Sequence, residues 1–258
     1  MKTSEGPIGD TVVYASLPSD SQETIPLILG EDTPMETRKR FITRVYGVLW
    51  TQLAVTSGWI ALCNQVQSIQ TFLASDKGVT MMWFSVVCIF ALTCIMYCAR
   101  ECLRTCPGGC MYLTVFTILM SYLLGYVGVV YSPVVLLLSG ITTLFLFSGL
   151  TLYAIQTRYD YTESGNYLLC MLLGLICMSL IMTFVTVSWL LTLYSCLGAT
   201  LFSLYIVYDT QLIVGGEHRR IQFRQDDIVL AATSLYLDVI NLFLFLLDLM
   251  TGGTPGNR

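Results

Sequence analysis

Two aspartates sit deep inside apolar sequence. Asp209 lies five residues before Val214, where one long apolar run ends, which is roughly 8 Å deep at ~1.5 Å per residue. Asp238 lies ten residues into the run Ile228 to Met250, roughly 15 Å deep. Ionisable groups in such a setting are costly and are functional candidates by default. The depths let the two carboxyl groups meet if their helices tilt. Two adjacent carboxyl groups cannot both ionise cheaply, so they titrate as a pair. Such a pair would change charge across a physiological pH range. It would hold a gate closed by sharing a proton or by pairing with an arginine. With both groups ionised it would attract a hard divalent cation, and Ca²⁺ suits carboxylate oxygens. Asp209 and Asp238 are thus read as pH sensor, gate and transient Ca²⁺ ligands.

The last apolar run carries more polar residues. Asp227, Ser234, Asp238, Asn241 and Asp248 follow spacings of 7, 4, 3 and 7, which put them on one helix face. That stripe should face the bundle interior or a water path rather than lipid. A helix–helix hydrogen-bond seam is the competing use. Asp248, near the far end, is read as a solvated interfacial acid.

Other reactive side chains point to less. His218 is the single histidine and falls among Arg219, Arg220 and Arg224. No histidine base stands in an apolar run, which excludes a rhomboid-like Ser–His site and leaves haem and histidine-based metal sites unsupported. Among ten cysteines, Cys94, Cys98, Cys102, Cys106 and Cys110 recur every fourth residue. On a helix they form a slowly drifting stripe, suited to packing or to S-palmitoylation beside a membrane. Pro107-Gly108-Gly109 is expected to end that helix before Cys110.

The elements that position these residues follow from composition. The chain has 258 residues, 55% apolar and 12% charged, with a net charge of −4. Its mean hydropathy is +0.71. Soluble domains carry about 25% charged residues, and nucleic-acid binders need cationic surface; neither describes this chain. Seven runs are long enough to cross a bilayer: Val45 to Cys63, Val79 to Ala99, Met111 to Tyr131, Val134 to Ile155, Tyr167 to Ser188, Leu190 to Val214 and Ile228 to Met250. Runs of this length with no strand-like alternation predict helices. The expected fold is an all-α integral membrane protein, a seven-transmembrane-helix bundle in a lipid bilayer.

Eleven basic residues flank one side of these spans, and only Lys77 and Arg258 flank the other. The positive-inside rule then places the N-terminus in the cytosol. No signal peptide is read, because the first apolar run starts after forty residues. The expected organisation is a tail over 1–37, a membrane domain over 38–251 and a short lumenal or outer tail over 252–258. The first segment holds four prolines, seven acids and one base, a composition that disfavours a packed core. Within it, Tyr14 to Leu17 fits a tyrosine-based sorting signal and Glu23 to Ile28 an acidic dileucine signal; both favour endosomes or lysosomes.

Four motifs carry a resemblance. They are Arg38 to Tyr46 (RKRFITRVY), Leu152 to Thr162 (LYAIQTRYDYT), Ser203 to Gln211 (SLYIVYDTQ) and Ser234 to Leu244 (SLYLDVINLFL). Through them the chain resembles the Bax inhibitor-1 / lifeguard family of seven-helix membrane proteins, over about residues 35 to 250. The resemblance implies a pH-gated Ca²⁺ leak in endoplasmic reticulum or Golgi membranes that lowers stored Ca²⁺ and inhibits apoptosis. It implies no enzymatic activity and no resident cofactor, with Ca²⁺ as the permeant ion and apoptosis-regulating membrane proteins as partners. It maps the family's paired aspartates onto Asp209 and Asp238, and places Arg100 where bacterial relatives carry a latch to that pair. Those relatives also have an acid within the second helix, whereas Val79 to Ala99 has none.

Two other classes compete. A non-conducting scaffold would bind apoptosis regulators through its loops. An intramembrane aspartyl protease would also use two aspartates sharing a proton, but Asp238 lacks the Gly-x-Gly-Asp setting of those enzymes.

Overall fold

A computed structural model describes residues 35–98, 100–104, 107–184, 187–215, 223–224 and 226–252. The two sorting strings, His218, Arg219, Arg220, Cys106 and most of both terminal segments lie outside the described residues.

The described residues form nine α-helices and one 3₁₀ turn. In order these are α1 (Met35–Gln65), α2 (Gln67–Leu73), α3 (Asp76–Cys98), α4 (Arg100–Arg104), α5 (Gly108–Val130), α6 (Pro133–Gln156), the turn Thr162–Ser164, α7 (Gly165–Met182), α8 (Ser188–Val214) and α9 (Ile228–Met250). Seven are long and apolar enough to cross a membrane; α2 and α4 are short connectors. All seven coincide with the apolar runs, with differences at their ends. α1 begins well before Val45, and α7 stops at Met182 rather than reaching Ser188. Pro133 at the first turn of α6 suits a position whose N–H has no helical partner.

The cysteine stripe is not one stripe. Cys94 and Cys98 belong to α3, Cys102 to α4 and Cys110 to α5. The helix carrying Cys102 ends at Arg104, before the Pro107-Gly108-Gly109 string as expected, and that string opens a new helix, α5, which carries Cys110.

Interhelix contacts order the bundle. The end of α8 meets the end of α6 and the segment before α7 through Gln211, whose Nε2 donates to Tyr159 O (3.0 Å) and whose Oε1 accepts from Tyr161 N (2.8 Å). α4 meets the start of α9 through Arg104 and Asp227. At the opposite end, Tyr131 after α5 and Ser139 of α6 reach Asp248 and Met250 of α9. The spans therefore alternate in direction, as short connections require. The end holding Arg104, Arg158 and Arg224 is here termed the basic end.

α9 is the central helix, buried along most of its length and packed against α1, α5, α6 and α8. α8 approaches it closely at Gly198, where a β-carbon would collide with the Phe245 ring. Phe245 in turn stacks on Phe202 and meets Tyr194 edge to face. The outer helices instead present Trp83, Phe84, Phe90, Phe145 and Leu180 outward, the surface a bilayer would cover.

Candidate functional site

α8 and α9 pack against each other along their lengths, so residues at matching depth meet. Asp209 and Asp238 do so: each is 6% exposed, and their carboxyl groups are in direct side-chain contact. No cation among the described residues pairs with either. Asp238 Oδ2 is buried without a hydrogen-bond partner. A carboxylate facing a carboxylate offers no donor, so one shared proton is what the contact requires. Gly215, at φ +60°, ends α8 a few residues beyond Asp209. That left-handed conformation is readily reached by glycine.

The polar stripe of α9 becomes a ladder whose rungs come from different helices. At the basic end, Asp227 accepts from Arg104 Nε of α4 at 2.8 Å and from the backbone N–H of Arg224 at 3.3 Å. Asp227 is buried and Arg104 partly buried, with side chains 7% and 14% exposed. Glu101 adds a second carboxylate to Arg104. The bond from Asp227, and then Glu101, holds the Arg104 guanidinium above its ordinary value against its desolvation.

One level deeper, Ser234 faces the Tyr97 hydroxyl of α3. The Asp209–Asp238 contact is the next level. Asn241 instead donates to its own helix, at Leu237 O (2.8 Å). At the far end, Asp248 Oδ1 accepts from Tyr131 Oη at 2.9 Å. Asp248 is thus partnered and half-buried rather than a freely solvated acid, because Tyr131 emerges from α5 directly beside it.

Arg100 is exposed and lies over the Tyr97 ring, 5.8 Å from its centroid. It makes no ion pair with Asp209 or Asp238; among the described residues, Arg104 is the arginine paired with an acid of the polar stripe, Asp227. Tyrosines complete the surroundings of the carboxyl pair. Tyr205 and Tyr208 pack edge to face, and both lie within electrostatic range of Asp209. The roles of Tyr97, Tyr205 and Arg104 were hidden in the sequence. Tyrosines are common in apolar runs, and Arg104 is one of many flanking bases. The periodic acids of α9 were the only signal that partners had to exist.

Among the described residues, no group of three His, Cys, Asp or Glu side chains converges as a metal site. Two carboxylates alone would give a cation two protein ligands, leaving most of its shell to water. That suits passage better than tight retention.

The fold and site define a multi-pass membrane protein built around a buried carboxyl pair. The family model described as Inhibitor of apoptosis-promoting Bax1 matches residues 38–254, and the chain belongs to this Bax inhibitor/lifeguard family. It is similar to Protein lifeguard 3 of Homo sapiens, 30% identical over 86% of this chain and 71% of that protein. Protein lifeguard 3 of Mus musculus is 28% identical over 86% of this chain and 72% of its own length. Protein LIFEGUARD 4 of Arabidopsis thaliana is 30% identical over 83% of this chain and 85% of its own.

Proposed function

We propose that this protein is a pH-sensitive Ca²⁺ leak channel of intracellular membranes that lowers stored Ca²⁺ and restrains apoptosis. The observation that carries the reading is the Asp209–Asp238 contact, two buried carboxyl groups from α8 and α9 with no counter-cation among the described residues. Sharing one proton, the pair is compact and its helices stay together. Losing that proton creates two adjacent negative charges, which repel and attract a divalent cation. The helices then part, or a Ca²⁺ ion enters between them. The remaining rungs of the α9 face would line the route. The family's name, which refers to inhibition of apoptosis, agrees with a protein that limits Ca²⁺ release. The basic residues flanking one end support a cytosolic N-terminus.

The test is Ca²⁺ flux through purified protein in liposomes at several pH values. Flux from the parent should vary with pH. Asp238→Asn supplies a permanent amide donor to Asp209 in place of the shared proton, so its flux should become nearly independent of pH; Asp209→Asn should do the same. Absence of flux from well-folded parent protein at every pH would remove the channel reading and favour a scaffold. Cleavage of a helical substrate, lost in both variants, would favour a protease.

A further inference from the structure

Thiols are the nucleophiles that the proposed mechanism leaves unused, and the fold sorts them by burial and depth. Cys63 is fully buried and Cys88 partly buried. Cys177 and Cys196 are exposed, but they stand well inside α7 and α8, where a bilayer would surround them. Cys94 and Cys170 are exposed and lie about one turn inside their spans. Cys98 and Cys110 differ from all of these, being exposed and at the edges of their spans. Cys98 is the last residue of α3. Cys110 is the third residue of α5, roughly 3 Å from its start.

Both lie at the basic end, on either side of the α4 connector that carries Arg100, Glu101 and Arg104. α3 and α4 each pack on α5, which keeps the two span edges in one neighbourhood. Each thiol also opens an outward stripe. On α3, Cys98, Cys94, Phe90, Val87 and Phe84 follow spacings of 4, 4, 3 and 3, and all are exposed. On α5, the exposed Cys110, Thr114 and Ile118 follow spacings of 4 and 4. Such spacings keep residues on one helix face. Each thiol therefore has the water phase on one side and a lipid-facing apolar track on the other. A hydrocarbon chain attached to the sulfur would lie along that track, in place of a lipid tail, with no repacking of the bundle. Thiols are also nucleophiles toward thioester carbonyls. The exposed Arg100 cation stands two residues from Cys98. It would raise the local concentration of an anionic, phosphate-bearing acyl donor.

We propose that Cys98 and Cys110 are S-acylation sites that receive long-chain fatty acyl groups from acyl-coenzyme A at the basic end. The cysteine gives up its thiol proton, and its sulfur bonds to the carbonyl carbon of the donor thioester. The bond between that carbon and the coenzyme's sulfur breaks, and the coenzyme leaves as a thiol carrying the proton. The two acyl chains flank α4 and tie this connector to the bilayer surface. The inference rests on the cytosolic placement of the basic end, where thiols stay reduced, and is independent of ion conduction.

The experiment reads thioesters site by site. Full-length protein carrying an N-terminal epitope is expressed in mammalian cells. Unmodified thiols are blocked with N-ethylmaleimide, thioesters are cleaved with neutral hydroxylamine, and the released thiols are tagged with a second maleimide. Peptide mass spectrometry then compares samples with and without hydroxylamine. Cys98 and Cys110 should gain the second tag by at least about tenfold on hydroxylamine treatment, as expected for acylated juxtamembrane thiols. Cys177 and Cys196 should show no gain, and Cys98→Ala should leave the gain at Cys110 in place. Absence of a gain at Cys98 and Cys110 overturns the proposal, as does an equal gain at Cys177 and Cys196, because the span edge would then select nothing. The epitope reports sidedness in the same cells. Antibody access after permeabilising only the plasma membrane is expected. Access only after internal membranes are also opened would remove the cytosolic placement, and the proposal with it. No flux is read, so the channel reading stands or falls separately.

Discussion

Tyr236 and Asp238 are two residues apart on α9, at nearly the same depth, and point to opposite faces. Toward α1 and α5, Tyr236 Oη bonds Thr56 Oγ1 at 2.8 Å, and Ser121 Oγ bonds the same oxygen at 3.2 Å. Thr56 places its proton on Gln52 O at 2.9 Å, so it accepts from both neighbours. Gln52 Nε2 extends the seam to Thr117 at 3.0 Å. Only neutral groups take part, and Gln52 Oε1 is the one atom of these side chains left without a partner. Toward α8, Asp238 meets another acid and keeps an orphan oxygen. One face links its helices through hydrogen bonds between groups that do not change charge; on the other, the paired carboxyl groups need a proton or a cation. A satisfied neutral network holds helices together, whereas an acid pair with a variable proton count can respond to its surroundings. On the proposed reading, the two faces of one helix divide adhesion from response.

That division can be broken experimentally. The largest stability effect should come from Arg104→Ala, which strands Asp227 as a buried, unpaired carboxylate and should cost about 3 kcal/mol or more. A drop in thermal unfolding midpoint in detergent would report it. Because Asp227 holds the Arg104 guanidinium above its ordinary value, this cation's contribution is fully present below the unfolded-state value and fades only above the folded one. The difference between parent and variant should therefore stay constant from roughly pH 6 to pH 9. A difference that shrinks on going toward pH 9 would show that the pair contributes otherwise.

A smaller loss is expected from Thr56→Val, which removes the acceptor shared by Tyr236 and Ser121, at about 1–2 kcal/mol. Its sharper use is the flux profile, which should keep the parent's pH dependence. A shifted profile would mean that the two faces of α9 are coupled. The smallest effect should be that of Tyr131→Phe, about 0.6 kcal/mol for one interhelical bond to Asp248. A midpoint within a degree or two of the parent, with an unchanged pH profile, is the expected result. A changed profile would extend the responsive face to the far end.

Long apolar runs and the 7-4-3-7 polar spacing are local or periodic properties, and they made what depends on them legible in the sequence by itself. A helix of about twenty apolar residues has one energetically acceptable place to lie, and spacing along a helix determines which residues share a face. Hence the seven spans, the shared face of Asp227, Ser234, Asp238, Asn241 and Asp248, and the chance for Asp209 to meet Asp238 were all legible. Which helix supplies the partner of each rung was decided only by tertiary packing. Arg100 and Arg104 are one helical turn apart with equal charge, and nothing in their spacing tells which one reaches α9. The break of the cysteine stripe into α3, α4 and α5 sets that geometry, turning Arg104 onto Asp227 and leaving Arg100 over Tyr97. Asp248 and Tyr131 are far apart in sequence and meet because α5 and α9 end at the same side of the bundle. Periodicity is a one-helix property, while a hydrogen bond between helices depends on their relative rotation and depth, which the packing of whole side-chain surfaces determines.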